Sequence, residues 1–312
     1  MTAAPTLPGT VTVRVPAKVN LQLHVGALRP DGYHDLATVF QAVSLHDEVS
    51  VARWDGWQVV PAGTYADGIP TDEDNLAVRA AKLVAERCGV DESLSIRIDK
   101  DIPVAGGMAG GSADAAAALL ACDQLWALGL DRDELAEMAA VLGSDVTFPL
   151  SGGTAMATGR GEQLAPVLAR GTFHWVFAIS DEGLSTPAVY AELDRMREES
   201  GESVAEPQVR PDLMAALRQG DAAALGNALH NDLEPAAFSL RPDLRELRDA
   251  GVEFGALGGI VSGSGPTVAF VTESHEAALD LSVSLAAADL CRDLRRAKGP
   301  VHGAQVVAGP RD

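Results

Sequence analysis

The chain has 312 residues, of which 47% are apolar, and its 44 acidic and 24 basic side chains give a net charge of −20. This length predicts two domains, and the acidic excess argues against a nucleic-acid binder, which needs a basic face. The apolar stretches are too short to cross a bilayer, and the first ten residues lack the basic flank and apolar run of a secretion signal. We therefore expect a cytoplasmic protein that holds anionic ligands through local backbone amides and a few lysines.

Apolar periodicity predicts a β-rich start followed by helices. Thr71 and Asp74 together predict the cap of the first helix, and Gly143 predicts the end of the third. The elements predicted for this half are, in chain order, strands over 11–15 and 21–25, a turn at 31–32, a strand ending near 53, a helix over 75–88, a strand over 94–98, a helix from about 112 to 126, a helix over 132–142 and a strand over 154–158. A domain boundary within 159–169 divides the chain into 1–165 and 166–312.

The second half again alternates strand and helix, which favours an α+β layer. Thr186 and Pro187 suit an N-cap followed by proline in the first helical turn. The elements predicted here are a strand over 175–179, a helix over 186–197, a loop over 201–211, helices around 213, 225 and 244, a strand over 268–271, a helix over 276–287 and a strand over 303–308.

Cysteine and histidine usage predicts neither disulfides nor a metal site made of protein ligands alone. Cys88, Cys122 and Cys291 are odd in number, far apart and within apolar helical patterns, so we expect small core residues. The seven histidines form no CxxC, HxH or HExxH arrangement with them.

Four glycines lie between positions 106 and 111, where a predicted strand leads into a predicted helix. Glycine lets the backbone approach a ligand closely, and a helix start offers free N–H groups and the positive end of its dipole. A tight packing turn is the alternative, but four glycines at a helix start favour phosphate binding. The loop is not G-x-G-x-x-G, because Ala105 occupies the place that would pair with Gly107. It is not a P-loop either: Gly106 and Gly111 have the right separation, but Ser112 and Ala113 stand where a P-loop has lysine and serine or threonine.

The cation that a P-loop would supply must therefore come from another segment. Lys18 is the candidate because it interrupts the apolar alternation of two predicted strands, although a lysine reaching solvent at a strand end is the alternative. Asp145 follows Gly143 and Ser144 and is either a helix cap or a general base. Phosphoryl transfer needs mainly positioning and charge neutralisation, with Mg²⁺ bridging phosphate oxygens, so an acid and an amine suit a kinase.

Taken in order, these segments resemble the GHMP small-molecule kinases over residues 11 to 307. The segments that carry the resemblance are 16–20 (PAKVN), 103–113 (PVAGGMAGGSA), 142–146 (LGSDV) and 262–266 (SGSGP). The motif Asp31-Gly-Tyr-His34 resembles the branch that phosphorylates a cytidine diphosphate-linked polyol for isoprenoid precursor synthesis. The fold implied is α+β with two domains, the N-terminal one like domain 2 of ribosomal protein S5 and the C-terminal one ferredoxin-like.

The resemblance also implies ligands and residue roles. Lys18 and Asp145 become the catalytic pair, Ser112 a candidate contact for Mg²⁺, and 263–265 a turn that packs on the phosphate loop. The implied ATP-binding residues are Asn75, Lys100, Pro103, Val104, Ala105, Gly106, Gly107, Met108, Ala109, Gly110, Gly111, Ser112 and Ala113. The implied acceptor-binding residues are Asn20, Tyr33, His34, Thr186 and Tyr190, with the two tyrosines stacking on the cytosine.

Three loop alanines depart from the glycine or serine that these kinases often have: Ala105, Ala109 and Ala113. Because alanine at positive φ is strained, we expect all three to have negative φ. The alternatives left open are a GHMP kinase acting on homoserine, mevalonate or a sugar, and a non-catalytic nucleotide-binding protein of the same fold. We expect a monomer or weak homodimer.

Overall fold

The computed structural model describes residues 9–104, 106–180, 182–201 and 203–308, so Ala105 of the predicted phosphate loop lies outside the described residues. Two sheets organise the chain, one of eight strands and one of four. Within the described ranges, no helix combines the length and the apolar character that a bilayer span would need.

Up to residue 166 the chain builds most of the larger sheet and the helices that cover it. Its elements are β1 (Val11–Leu28), β2 (His34–Trp54), β3 (Gln58–Ala62), a 3₁₀ turn (Ala66–Gly68), α1 (Leu76–Cys88), β4 (Ser93–Asp99), α2 (Gly110–Trp126), α3 (Arg132–Leu142), α4 (Thr147–Ser151), β5 (Thr154–Thr158) and β6 (Gln163–Pro166). The central order is β12-β1-β2-β4-β3, with β5 on β2, β6 on β5 and β8 on β1, where β8 (His230–Asn231) and β12 (Gln305–Ala308) come from the second half of the chain.

Beyond residue 166 the chain builds the smaller sheet, in the order β11-β7-β10-β9 with antiparallel pairs throughout. The elements of this half of the chain are β7 (Phe173–Ile179), α5 (Thr186–Ser200), α6 (Pro211–Gln219), α7 (Ala222–Ala228), β8 (His230–Asn231), α8 (Glu234–Leu240), α9 (Pro242–Glu253), β9 (Gly258–Val261), β10 (Val268–Thr272), α10 (His275–Ala288), β11 (Asp293–Gly299) and β12 (Gln305–Ala308). The predicted α+β architecture is therefore confirmed.

Helix α2 lies at the centre of the larger core because its side chains are small. Alanines at 113, 115–118 and 121 are fully buried, as is Cys122. A helix that is apolar all round belongs inside a protein, and alanine lets α1 and the strands approach its backbone closely. The prediction of a core cysteine is confirmed for Cys122, while Cys88 and Cys291 are only half-buried.

Strand β7 shows why the smaller sheet packs on both faces. Trp175 and Phe177 point into the core shared with the larger sheet, while Val176 and Ala178 face a second core with α5 and α9. This alternation follows from the period of two in a strand. Trp175 Nε1 also donates a hydrogen bond of 3.1 Å to Gln41 on β2, which ties the two sheets together.

Several predicted elements match the structure and several differ. Helix α3 and strand β5 have the predicted bounds, whereas the two strands predicted over 11–25 form the single strand β1. Register shifts after Pro16 and Asn20 keep that strand continuous, because an irregular pairing tolerates a proline. The predicted cap at Thr71 is wrong: the N-cap of α1 is Asn75, whose side chain accepts from Ala77 N.

Two strands of the second half of the chain pair with β1 in the larger sheet, which places the candidate site between the two halves. Strand β8 pairs parallel with β1 at Gln22 and Leu23, and β12 pairs antiparallel with β1 at Arg14. The N-cap of α5 is Ser185, one residue before the predicted Thr186. The domain boundary at residue 165 stays a prediction.

Candidate active site

A cleft of about 370 Å³ lies where the start of α2, strand β1 and the turn 262–265 meet. Lys18, Asn20 and Asp145 line it together with Thr186 and Tyr190. The loop glycines 106, 107, 110 and 111 and Ser112 complete this wall. The structure thus brings together predicted residues from five separate segments.

The phosphate loop differs from the prediction at its helix start. Helix α2 begins at Gly110, and its N-cap is Ala109, with a left-handed φ of +58°. The expectation of negative φ is therefore wrong for Ala109, although Ala113 is helical as expected. An alanine in this conformation costs about 1–2 kcal/mol, and it offers no capping side chain, so the first N–H groups of α2 stay available to an anion.

Gly107 is required by close packing against the second half of the chain. It has a φ of +71°, and a Cβ added there would lie 1.9 Å from the carbonyl oxygen of Ser262. The hydroxyl of Ser262 in turn donates to the carbonyl oxygen of Gly107 at 3.0 Å. The predicted packing of the turn 263–265 on the phosphate loop is also confirmed, because a Cβ on Gly107 would lie 3.2 Å from the carbonyl oxygen of Gly265.

Lys18 and Asp145 face each other in the cleft. The Nζ of Lys18 lies 4.0 Å from Oδ2 of Asp145, and the two side chains are 6% and 40% exposed. Lys18 Nζ also donates to Asn20 Oδ1, and Asn20 Nδ2 donates to Thr38 Oγ1 at 2.9 Å. Burial lowers the pKa of Lys18, and the nearby Asp145 carboxylate opposes that effect.

Asp145 does not cap a helix, which was the alternative interpretation. It lies in the turn between α3 and α4, and the N-cap of α4 is Val146. Its carboxylate is thus open to the cleft beside a buried amine. Such a pair can accept a proton from a hydroxyl group and stabilise the oxyanion that forms.

A second pocket of about 190 Å³ adjoins the cleft, since Leu76 and Gly111 line both. Asn75, Lys100 and Val104 line this pocket as well, so the structure brings three predicted nucleotide residues together there. Of these, Asn75 caps α1 and also donates Nδ2 to the carbonyl oxygen of Pro70 at 2.7 Å.

Lys100 is held in a buried cluster that the sequence did not reveal. Its Nζ donates to Oδ2 of Asp47 and to Oδ2 of Asp114, each at 2.6 Å. Burial, together with the neighbouring Asp114 charge and against the pull of Lys100, raises the pKa of Asp47 to about 8. For Lys100, burial lowers the pKa, but the two carboxylates outweigh it and the net shift is upward. Asp114 Oδ1 is buried and has no hydrogen-bond partner among the described residues.

Other loop residues are placed less favourably for side-chain contact with a nucleotide. Met108 is fully buried in the core, as is Ala113, so a ligand could meet only their backbone. Pro103 lies in a separate cavity beside Gly106 and Val104. The loop therefore offers mainly backbone groups and glycine surface.

The predicted acceptor residues divide into two groups. Asn20, Thr186 and Tyr190 line the cleft, and burial, followed by the charge of Asp145, raises the pKa of Tyr190 to about 12. Tyr33 and His34 lie outside the lining of this cleft. The ring next to Tyr190 is that of His34, with centroids 5.2 Å apart.

His34 and Tyr33 each have a partner that sequence patterns did not indicate. Nε2 of the buried His34 lies 2.9 Å from Oδ1 of Asp194, on helix α5. Tyr33 is 51% exposed, and the guanidinium of Arg160 lies 3.3 Å from the centre of its ring. These partners lie far away in the sequence, and no local motif contains them.

Comparison with known proteins places both halves in one family. The models for the GHMP kinase N-terminal and C-terminal domains match residues 75–158 and 213–288. The 4-diphosphocytidyl-2-C-methyl-D-erythritol kinase of Mycolicibacterium smegmatis is 57% identical, covering 97% of this chain and 94% of that protein. The corresponding enzyme of Nocardia farcinica is 55% identical, covering 96% and 97%.

Solved structures agree on the fold. A crystal structure of 4-(cytidine 5′-diphospho)-2C-methyl-D-erythritol kinase has a TM-score of 0.75 at 34% identity, covering 92% of this chain and 98% of that one. Homoserine kinase from Cytophaga hutchinsonii has a TM-score of 0.72 at 19% identity, covering 98% and 100%. The second similarity shows the fold alone, so fold by itself does not select the acceptor.

Proposed function

The chain belongs to the GHMP kinases, and from this premise we propose that it transfers the γ-phosphoryl group of ATP to the 2-hydroxyl of 4-diphosphocytidyl-2-C-methyl-D-erythritol. Such a reaction belongs to the non-mevalonate route to isoprenoid precursors. The observation that carries the proposal is the 4.0 Å approach of Lys18 Nζ and Asp145 Oδ2 in a cleft walled by the start of α2. The similarity to relatives of this name over nearly the whole chain supports the choice of acceptor.

ATP would bind with its phosphates on the loop and its base toward the second pocket. The first N–H groups of α2 and the glycines of the loop suit an anionic chain. Leu76 and Gly111 line both cavities, so one nucleotide can extend from the cleft into the pocket of Asn75 and Lys100.

The oxygen donors beside the loop fit Mg²⁺, which prefers one or two carboxylates together with substrate phosphates and water. Asp145 and Ser112 are the residues that would hold it. When bound, the ion neutralises phosphate charge during transfer.

The catalytic step assigns different tasks to the two facing side chains. Asp145 accepts the proton of the acceptor hydroxyl, because its carboxylate is open to the cleft beside Lys18. Lys18 stabilises the developing alkoxide with its ammonium group. Asn20, hydrogen-bonded to Lys18 and Thr38, orients that ammonium toward the cleft.

The acceptor's cytidine end would lie toward Tyr190 and His34. The two rings are adjacent, and Asp194 holds the imidazole by its Nε2, which leaves Nδ1 to meet a base edge. Tyr33 is sufficiently exposed to add a stacking face. Stacking on an aromatic ring is worth about 1–3 kcal/mol per base.

The test is an acceptor panel with purified protein, ATP and Mg²⁺, measuring ADP release. We expect turnover with the cytidylated acceptor, and turnover at least a hundredfold lower with mevalonate, homoserine or a free sugar. Faster turnover with one of those three would refute the proposed acceptor but leave the assignment as a kinase intact. ATP binding without turnover on any acceptor would support a non-catalytic nucleotide-binding protein.

A further inference from the structure

Three metal-ligating side chains that phosphoryl transfer does not use converge where β1 meets β8. They are His24 on β1, His230 on β8 and Asp232 just after β8, and one potential ligand atom from each lies within 4.8 Å of the others. The parallel pairing of β1 with β8 brings them together, because Gln22 lies opposite His230. Their distance in sequence explains why no histidine motif was visible.

The contacts within the cluster leave one carboxylate oxygen facing the imidazoles. Nε2 of His230 lies 2.7 Å from Oδ1 of Asp232. The other oxygen, Oδ2, accepts from Val25 N at 2.8 Å and lies 3.5 Å from Arg197. Oδ1 is therefore the oxygen that a bound cation could use.

His24 is the member of the cluster that has a ring nitrogen without a hydrogen-bond partner among the described residues. Its ring lies 4.5 Å from that of His230, centroid to centroid. That nitrogen is Nε2, which is buried. A buried polar nitrogen without a partner is unfavourable and uncommon, so the arrangement needs an explanation.

We propose that His24, His230 and Asp232 form a binding site for a divalent transition-metal ion of the Zn²⁺ class. Two imidazoles and one carboxylate, with a fourth position open to water, are a ligand set that Zn²⁺ takes. Mg²⁺ and Ca²⁺ are excluded as occupants because they prefer oxygen ligands.

The geometry requires a modest contraction of the cluster. Zinc bonds of about 2.0–2.1 Å place tetrahedral ligand atoms about 3.3 Å apart. The widest pair must then approach by on the order of 1.5 Å, which rotation of the half-buried imidazoles supplies. A bound ion would join β1 to the β8 segment and stabilise the contact between the two halves of the chain.

The experiment titrates ZnCl₂ into the full chain in chelator-free buffer, by calorimetry and by thermal unfolding. We expect one ion per chain and, at a hundredfold excess over Kd, a rise in unfolding midpoint on the order of 5 °C. MgCl₂ at the same concentration should leave the midpoint unchanged.

Matched variants locate the ion. His24→Phe keeps an aromatic ring against His230 but removes the nitrogen, and should weaken Zn²⁺ affinity by about 10- to 100-fold or more. Asp232→Asn should do the same if the first variant folds poorly. His275→Phe removes one ring of the pair His174 and His275, 6.3 Å apart, and should leave the affinity unchanged.

Co²⁺ provides an independent readout, because its visible absorption reports coordination geometry. The unmodified chain and His275→Phe should give a tetrahedral-type band that His24→Phe lacks. The proposal is overturned if the unmodified chain does not bind Zn²⁺ below about 1 mM, or if folded His24→Phe and Asp232→Asn both bind as tightly as the unmodified chain.

Discussion

Two buried lysines, Lys18 and Lys100, have very different partners. Lys18 lies 4.0 Å from one partly exposed carboxylate, and burial lowers its pKa. Lys100 lies 2.6 Å from each of two buried carboxylates, Asp47 and Asp114, which outweigh burial and raise its pKa. The two lysines are thus similarly buried, but because their partners differ, their pKa values shift in opposite directions.

The difference teaches which lysine can serve a ligand. An ammonium has three donors, and Lys100 uses two of them on carboxylates that need it. Lys18 donates to the amide of Asn20 and faces open space next to Asp145. We therefore interpret Lys18 as the lysine that takes part in phosphoryl transfer. Lys100 instead supports the nucleotide pocket through its hydrogen bonds to Asp47 and Asp114.

Asp145→Asn tests the Lys18 region and should have the largest effect. Loss of the proton acceptor should lower kcat by about a hundred- to ten-thousandfold. The free energy of unfolding should change by no more than about 0.5 kcal/mol, because the carboxylate is partly exposed. Steady-state ADP release and urea unfolding measure the two quantities; unchanged kcat would refute the assigned role.

Lys100→Met tests the other region and should act on stability. Removing the ammonium leaves the buried side chains of Asp47 and Asp114 without the cation that they share, which should cost about 3–5 kcal/mol of unfolding free energy. Lys18→Met is the matched control, since its single carboxylate is 4.0 Å away and partly exposed. It should lose activity while its stability stays equal or rises; if both variants lost stability equally, the contrast between the lysines would be wrong.

The stability of the Lys100 cluster should also depend on pH. Asp47 has its pKa raised to about 8, so the folded chain retains a proton that the unfolded chain releases near pH 4. The stability from this proton is complete below about pH 4 and is lost as pH rises through 8. Asp114→Asn removes a charge that raises this pKa. The fall in unfolding free energy between pH 5 and 8 should therefore be smaller in this variant, by on the order of 1–3 kcal/mol.

Thermal unfolding of the unmodified chain and Asp114→Asn across this pH range gives the difference directly. Asp145→Asn is the appropriate control, because it also removes one acidic charge but lies outside the cluster. Parallel curves for Asp114→Asn and the unmodified chain would show that Asp114 does not act on Asp47.

The same contrast shows what the sequence could predict. Lys18 and the glycine loop were singled out because each departs from its local pattern, and periodicity within one segment gave α3 and β5. Asp145 alone suggested either a helix cap or a general base, and only the family resemblance implied its catalytic role. Asp47 and Asp114 were not predicted, because an acid within a strand or a helix has no local signature until another segment supplies its lysine. Ala109 was wrongly expected at negative φ: it is the N-cap of α2 with φ +58°, and the expectation used only the intrinsic preference of alanine, which a helix start in a folded loop can override.

Long-range pairing limited the fold prediction in the same way. The closing strand was predicted near 303–308, but nothing local indicated that β12 would pair with β1 in the other half. The short strands β3 and β6 were missed because they are half-buried and carry little alternation. His24 and His230 became neighbours only through the pairing of β1 with β8.

Asn75 variants should have the smallest effect. This side chain lines the same pocket as Lys100, and it is assigned both a structural role, as N-cap of α1, and a nucleotide-binding role. As N-cap of α1 it accepts from Ala77 N at 2.9 Å, so Asn75→Ala should lower the unfolding free energy by about 1 kcal/mol. Asn75→Ser keeps a capping oxygen and should preserve that stability. If Asn75 also contacts the nucleotide, the serine variant should raise the KM for ATP several-fold while its unfolding free energy stays unchanged. A serine variant with unaltered KM would leave Asn75 with the capping role alone, and would place Asn75 with Lys100 among residues that support the pocket.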